Sequence, residues 1–198
     1  MFCKLLVKST REFQLKLEKA VNFFSGPNSI ELKKKYNKYE TYTNEDLEFD
    51  LYQGYRTNDV KTQKSPILNA GDLVINMMTN QTAIVSPHSA GKVIPQHITK
   101  LTFTNRGDNW YLCYLLNEAQ SMKRQLYSTM EGTVLRRVTL TSFKQLELNL
   151  PALSKQQKIG ELYRLLLIKE GLQKERQEKE KQAIISLLNK NDINGGPK

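Results

Sequence analysis

Hydrophobic positions change period several times along the chain. From Leu73 to Met78, and again over Thr82-Ala83-Ile84-Val85, apolar residues crowd into short runs joined by Thr79-Asn80-Gln81. That is the pattern of a two-stranded hairpin, entered through the turn Ile67 to Asp72 and ended by Pro87. A third strand is predicted at about Ile98 to Thr104, before the turn Asn105-Arg106-Gly107-Asp108-Asn109. Trp110 to Met122 then places apolar residues at 111, 112, 115, 116, 119 and 122, a helical spacing with one core face. On that spacing Trp110, Tyr111 and Tyr114 belong to the core rather than to a platform for nucleobases. Gln125 to Gly132 reads as a polar loop, and Thr139 to Leu148 alternates like a strand until Pro151 closes it. Helix formers without another proline follow from Lys155 to about Asn189, on the order of 50 Å at 1.5 Å per residue.

Residues 10 to 24 have mixed spacing, which suits a strand or a short helix before Gly26-Pro27. Ser29, followed by Glu31, opens a short capped helix, and Tyr36, Tyr39 and Tyr42 lead out of it. Together these elements predict an α+β fold: a mixed-sheet domain followed by a long C-terminal helix. The expected boundaries are 1–152 for the head, 153–190 for the helix and 191–198 for a disordered tail containing Gly195-Gly196-Pro197.

The long helix is uneven. Ile159, Leu162, Leu165, Leu166 and Ile168 make its first third apolar, Gln173 to Gln182 is wholly polar, and Ala183, Ile184, Leu187 and Leu188 close it. Heptad marking from Ile159 puts Lys169, Gln173, Arg176 and Glu180 on the seam, so no uninterrupted leucine zipper is written. Its apolar ends need a surface to pack on. Antiparallel pairing with a second copy would bring Ile159 to Ile168 of one chain near Ala183 to Leu188 of the other; the alternative is a helix folded back on its own head.

Net charge is +10 over 198 residues, and both parts are basic: 20 Lys/Arg against 14 Asp/Glu up to residue 150, and 10 against 6 beyond. Acidic residues crowd into Glu40 to Asp50, leaving cations such as Arg56, Lys64, Lys92, Lys100, Lys123 and Arg124 with few carboxylates nearby in sequence. Such an excess suits a polyanionic partner, because each neutralised phosphate releases condensed counterions. No run of 18 apolar residues exists, and lysines interrupt the N-terminus too early for a signal segment, so a cytoplasmic protein without membrane contact is expected.

Catalytic signatures are missing. Cys3, Cys113, His88 and His97 lack zinc-site spacing, and neither Gly-x-Gly-x-x-Gly nor a P-loop occurs. No proline is paired as an adenine methyltransferase signature would need, and the single Glu-x-Lys triplet, Glu31-Leu32-Lys33, has no aspartate before it. A non-catalytic chain without metal or cofactor is expected. DNA-reading chemistry is available instead. Arg pairs with guanine, Asn and Gln with adenine, and Lys with phosphate. Loops offering it are Gln53 to Lys64, with Arg56, Asn58, Lys61, Gln63 and Lys64; Asn80 and Gln81; and Met122 to Met130, with Lys123, Arg124, Gln125 and Tyr127.

Gly132-Thr133, Arg136-Arg137-Val138, Leu146-Glu147-Leu148-Asn149-Leu150-Pro151 and Gln156-Gln157-Lys158-Ile159 follow one another in an order that resembles the end of a target-recognition domain in type I restriction-modification specificity (S) subunits. Gly71-Asp72-Leu73-Val74-Ile75 is a weaker echo upstream. Ala152 stands where that family often has a second proline and Lys155 where it often has glutamate. The resemblance implies a short S subunit that reads one half of a bipartite site in double-stranded DNA. It also implies docking to a methyltransferase (M) subunit and, through it, a restriction (R) subunit, to which S-adenosylmethionine, ATP and magnesium belong. It implies a homodimer, or pairing with another S chain, with the helices as a coiled-coil spacer using Ile159, Leu162, Leu166, Ala183, Ile184, Leu187 and Leu188. A truncated or decoy S-like chain that binds the M subunit without reading DNA is the alternative, and an unrelated basic enzyme is a second.

Overall fold

The computed structural model describes residues 14–57, 64–129 and 138–191. Its centre is a four-stranded antiparallel sheet in the order β2-β5-β3-β4, formed by β2 (Val21–Ser25), β5 (Ile98–Phe103), β3 (Leu73–Asn76) and β4 (Thr82–Ile84). The hairpin and the third strand therefore form where their apolar runs predict. Leu73 faces both Ile84 and Leu101 in register, and all of β3 is buried. The Gly71-Asp72 pair that opens β3 is structural: Gly71 takes φ 92°, and Asp72 accepts from Asn69 N at 2.8 Å and pairs with the buried Lys100 at 2.8 Å.

The ambiguous stretch before Gly26 is both things in turn: β1 (Gln14–Lys16), a single helical turn α1 (Leu17–Ala20), then β2. β1 pairs with β6 (Glu147–Asn149) in a separate two-stranded ribbon. Helix α2 (Ser29–Lys35) forms as expected, but its cap is Asn28, whose Oδ1 accepts from Glu31 N at 2.9 Å, one residue earlier than the sequence suggests.

Three elements differ from expectation. The acidic stretch holds a helix, α3 (Asn44–Gln53), started by a capping box between Thr43 and Asp46 and ended by Gly54 at φ 60°. Trp110 to Met122 is two helices, α4 (Asn109–Asn117) and α5 (Gln120–Thr129), so the expected polar loop is helical over its described part, 125–129, with Met122 and Leu126 buried on one side and 130–132 outside the described residues. The expected strand from Thr139 begins as α6 (Leu140–Lys144), because Thr139 caps Ser142 N at 3.1 Å and Phe143 and Leu146 bury at a spacing of three. Only its end is β6.

Past Pro151, α7 (Leu153–Asn191) runs for 39 residues. Gln156, Gly160, Tyr163 and Leu167 face the head, where Tyr163 meets Trp110 and Tyr114 with ring centroids 6.4 and 5.7 Å away. Asn117 ties the layers together. Its Oδ1 accepts from Thr82 N at 2.8 Å, while its Nδ2 donates to Thr82 O at 2.8 Å and to the Tyr163 hydroxyl at 3.1 Å. The near half of α7 thus belongs to the head, and everything from Leu172 to Asn191 is exposed. The chain is therefore a mixed helix-and-sheet domain carrying one long C-terminal helix.

Candidate nucleic-acid interface and the exposed helix seam

Many of the cations that have few carboxylates nearby in sequence have a carboxylate partner in the fold. Arg56 donates to Asp108 at 2.6 Å and to Glu161 at 2.7 Å. Lys92 pairs with Asp46 at 2.7 Å, Lys100 with Asp72, and Lys123 with Glu118 at 2.8 Å. Around Arg56 this builds a junction. Asp108 caps α4 through Tyr111 N at 2.9 Å, and its own N–H donates to the buried Gln156 at 3.2 Å. Gln156 in turn donates to Pro151 O at 2.8 Å. Glu161 also accepts from Arg164, whose hydrogen bonds, followed by those of Arg56, hold its carboxyl below the usual carboxylate range. Arg56 is thereby a strut between the loop, α4 and α7, and its guanidinium is committed to carboxylates.

The other candidate readers separate into groups. Asn58 and Lys61, with Gln63, lie outside the described residues, as do Gly132, Thr133, Arg136 and Arg137. Lys64 is exposed. Asn80 occupies the left-handed position of the β3–β4 turn at φ 59°, where a short polar side chain is tolerated, and Gln81 follows it. That turn borders a cleft of about 350 Å³ shared with Asn117, Tyr163 and Glu170, so it faces α7. Gln125 closes a strand-like pair with Glu147, donating to its O and accepting from its N, each at 2.8 Å. Lys123, Arg124 and Tyr127 stay on the outer face of α5, opposite Met122 and Leu126, and Tyr127 is 66% exposed. The structure brings these three together on one helix, a shape that fits the major groove. Sequence reasoning passed over Lys33, Lys34 and Lys38, exposed on and just after α2, although the lysine run was visible.

On α7 the named partner residues also divide. Ile159 leans on the head's core. Leu162, Leu165, Leu166, Leu172, Ile184, Leu187 and Leu188 are exposed by between 48 and 70%. Leu162 lies two residues from Gly160, about 200° around a helix of 3.6 residues per turn, so the exposed stripe and the head-facing stripe occupy different sides.

A model of the family "Type I restriction modification DNA specificity domain" matches residues 21–179. The chain belongs to that family. No curated protein matches it. Among solved structures, one titled for complex assembly and conformational transition of the type I R-M system aligns over 94% of the chain and 46% of its own length, at 14% identity and TM-score 0.59. The HsdS subunit from Thermoanaerobacter tengcongensis aligns over 89% of the chain and 42% of its own length, at 16% identity and TM-score 0.51. The S subunit from M. genitalium aligns over 82% and 41%, at 15% identity and TM-score 0.49. The chain thus spans less than half the length of the solved structures it matches. Within this specificity-domain chain, Gln156 and Gly160 hold the long helix against the head, and no helix among the described residues is long and apolar enough to cross a membrane.

Proposed function

We propose that the chain is a non-catalytic specificity module that reads half of a bipartite site in double-stranded DNA, acts as an antiparallel homodimer, and docks a methyltransferase subunit and, through it, a restriction subunit. One observation carries the dimer. The exposed α7 seam is Leu162, Leu166, Lys169, Gln173, Arg176, Glu180, Ala183 and Leu187. Laid against its own antiparallel copy, it matches layer for layer: Leu162 opposite Leu187, Leu166 opposite Ala183, Lys169 opposite Glu180, and Gln173 opposite Arg176. The polar middle that interrupts a zipper in one chain becomes complementary in two. A parallel pair would instead stack Lys169 on Lys169 and Glu180 on Glu180, which is repulsive.

The same register fixes the span. Gly160 and its symmetry mate would lie about 29 residues apart along the paired helices, roughly 43 Å at 1.5 Å per residue. That exceeds one B-DNA turn of about 34–36 Å, so two heads could engage half-sites on one duplex. Within each head, Lys123, Arg124 and Tyr127 on α5, with Lys64, are the groups placed outward with groove and phosphate chemistry. Asn80 and Gln81 would act at the cleft edge, where their turn faces α7. Methyl transfer and cleavage are left to the partners, together with S-adenosylmethionine, ATP and magnesium, and the complex works in the cytoplasm.

Methylome sequencing of cells expressing this chain with its methyltransferase partner tests the reading. A two-fold symmetric, interrupted motif is expected. An asymmetric bipartite motif would reject the homodimer in favour of a mixed pair of S chains, and no new methylation would reject the specificity role.

A further inference from the structure

From Asn28 to Glu40 no residue is buried, yet both feet of this excursion are clamped to one segment of the head. At the entry, Gly26 N donates to Ile98 O at 3.1 Å, and a Cβ on Gly26 would sit 2.2 Å from Ile94 O. At the exit, Tyr42 N donates to Val93 O at 2.9 Å and Val93 N to Glu40 O at 2.8 Å. The result is a fixed spur rather than a wandering loop. Its helix α2 is short and buries none of its residues, although helices of this length gain most of their stability from packing. Something outside the chain is the natural cover.

The spur's chemistry says what kind. It presents Lys33, Lys34, Lys35 and Lys38, of which Lys35 alone has a carboxylate partner, Glu31 at 2.8 Å. Among the described residues no acidic group pairs with Lys33, Lys34 or Lys38, whereas Arg56, Lys92, Lys100 and Lys123 elsewhere on the head each hold a carboxylate. Ile30 and Tyr39 are 66% and 43% exposed, and the rings of Tyr36 and Tyr39 meet at a tilt with centroids 6.2 Å apart. Lysines in a helix's last turn also suit its dipole, which accounts for Lys33 and Lys34 singly but not for Lys38 beyond the end.

We infer that this spur is a phosphate clamp: Lys33, Lys34 and Lys38 grip the backbone of the duplex that the head reads, adding affinity and register but no sequence choice. The inference rests on the DNA-reading proposal above. A duplex is favoured over an acidic protein surface because the spur's two carboxylates, Glu31 and Glu40, are taken up by Lys35 and Lys92 and leave Lys33, Lys34 and Lys38 to project as cations alone, and because phosphates repeat where flexible lysines can find them.

The test measures binding of the full-length chain to a fluorescent 30-base-pair duplex across a sodium chloride series. With about 0.9 counterions released per phosphate, K33Q/K34Q/K38Q should lower the slope of log K against log salt by about 2.7 per engaged protomer. A control with equal charge loss elsewhere, K19Q/K181Q/K190Q, should leave the slope near wild type. Melting temperature checks that both variants fold, and the single variant K38Q, outside α2, should still lower the slope by about 0.9 if the triple variant does not fold. A spur variant with the wild-type slope, or a fall equal to the control's, overturns the clamp while leaving DNA reading intact. Loss of methyltransferase association with an unchanged slope also overturns it, placing the lysines on the protein partner. A wild-type chain that binds no duplex sinks the DNA reading itself, and the clamp with it.

Discussion

Gly160 of α7 sits so close to Asp108 that a Cβ at position 160 would lie 2.3 Å from Asp108 Oδ1 and 2.7 Å from Tyr111 N. The long helix crosses the start of α4 where only a hydrogen fits. In an exposed helix, Gly→Ala gains up to about 1 kcal/mol of propensity. Here the clash decides the sign, because the methyl group must displace the carboxylate that caps α4, a cap worth about 0.5–2 kcal/mol, and overpack a buried seam. Gly160→Ala should therefore destabilise by about 1–3 kcal/mol in urea unfolding. An unchanged or raised midpoint would show that α7 does not seat this closely.

Arg56 braces the same junction. Arg56→Gln leaves Asp108, whose side chain is 8% exposed, without its cation, at a cost of about 1–3 kcal/mol. DNA binding should fall only as far as folding does. The pH dependence follows from Glu161, whose folded pKa is depressed. Its contribution is present above the unfolded value of about 4.3 and fades as pH falls through the lower folded value. At 38% exposure that contribution is screened to under about 1 kcal/mol. The variant should thus show a shallower loss of stability below about pH 5. A fall in DNA affinity larger than its loss of folding would restore Arg56 as a reader.

The strands and the long helix are legible in the sequence because their signals are local. Buried runs such as Leu73 to Asn76, and a proline followed by helix formers, need no partner to be recognised. What misleads is local alternation that tertiary contacts override. Thr139 to Leu148 alternates like a strand, but the Thr139 cap and the burial of Phe143 against Phe23, with ring centroids 6.1 Å apart, favour a helical turn. Charge misleads for the same reason. Arg56 and Glu161 are 105 residues apart in sequence, so no local count could show that they neutralise each other. The heptad at Lys169 to Glu180 looks broken when one copy is read alone, and the match proposed above between two copies is of a kind that no single chain displays.

Asp50 is fully buried, and among the described residues no cation is in ion-pair contact with it. It accepts from the Tyr42 hydroxyl at 2.9 Å and from Ser86 N and Ser89 Oγ at 3.1 Å each, and burial pushes its carboxyl above the usual range despite these bonds. Because the folded value is raised, its contribution is greatest below the unfolded value of about 3.9 and declines as pH rises through the folded one. Asp50→Asn keeps the shape and two acceptor bonds, so it should be tolerated at neutral pH within about 1 kcal/mol. Asp50→Ala leaves buried donors unpaired and should cost about 2–4 kcal/mol. Thermal melts from pH 4 to 8 should show wild type losing ground against Asp50→Asn as pH rises. The opposite trend would mean that the charged form is the stabilised one.

The α7 register admits a covalent check. In a Cys3→Ser background, where Cys113 is buried, Leu162→Cys together with Leu187→Cys should give oxidised dimers, because an antiparallel pair sets position 162 of each copy against position 187 of the other. Leu162→Cys alone should stay monomeric on a non-reducing gel, because like positions sit at opposite ends, roughly 38 Å apart at 1.5 Å per residue. Ready cross-linking of the single variant would establish a parallel pair and reject the match of Lys169 with Glu180. Charge offers an independent reading of the same layers. Lys169→Glu sets two carboxylates against each other at each of two symmetric positions, and sedimentation should show a weaker dimer. Adding Glu180→Lys restores the pairing between chains but places two cations four residues apart at Arg176, so recovery should be partial. A dimer indifferent to all of these changes would have its interface elsewhere.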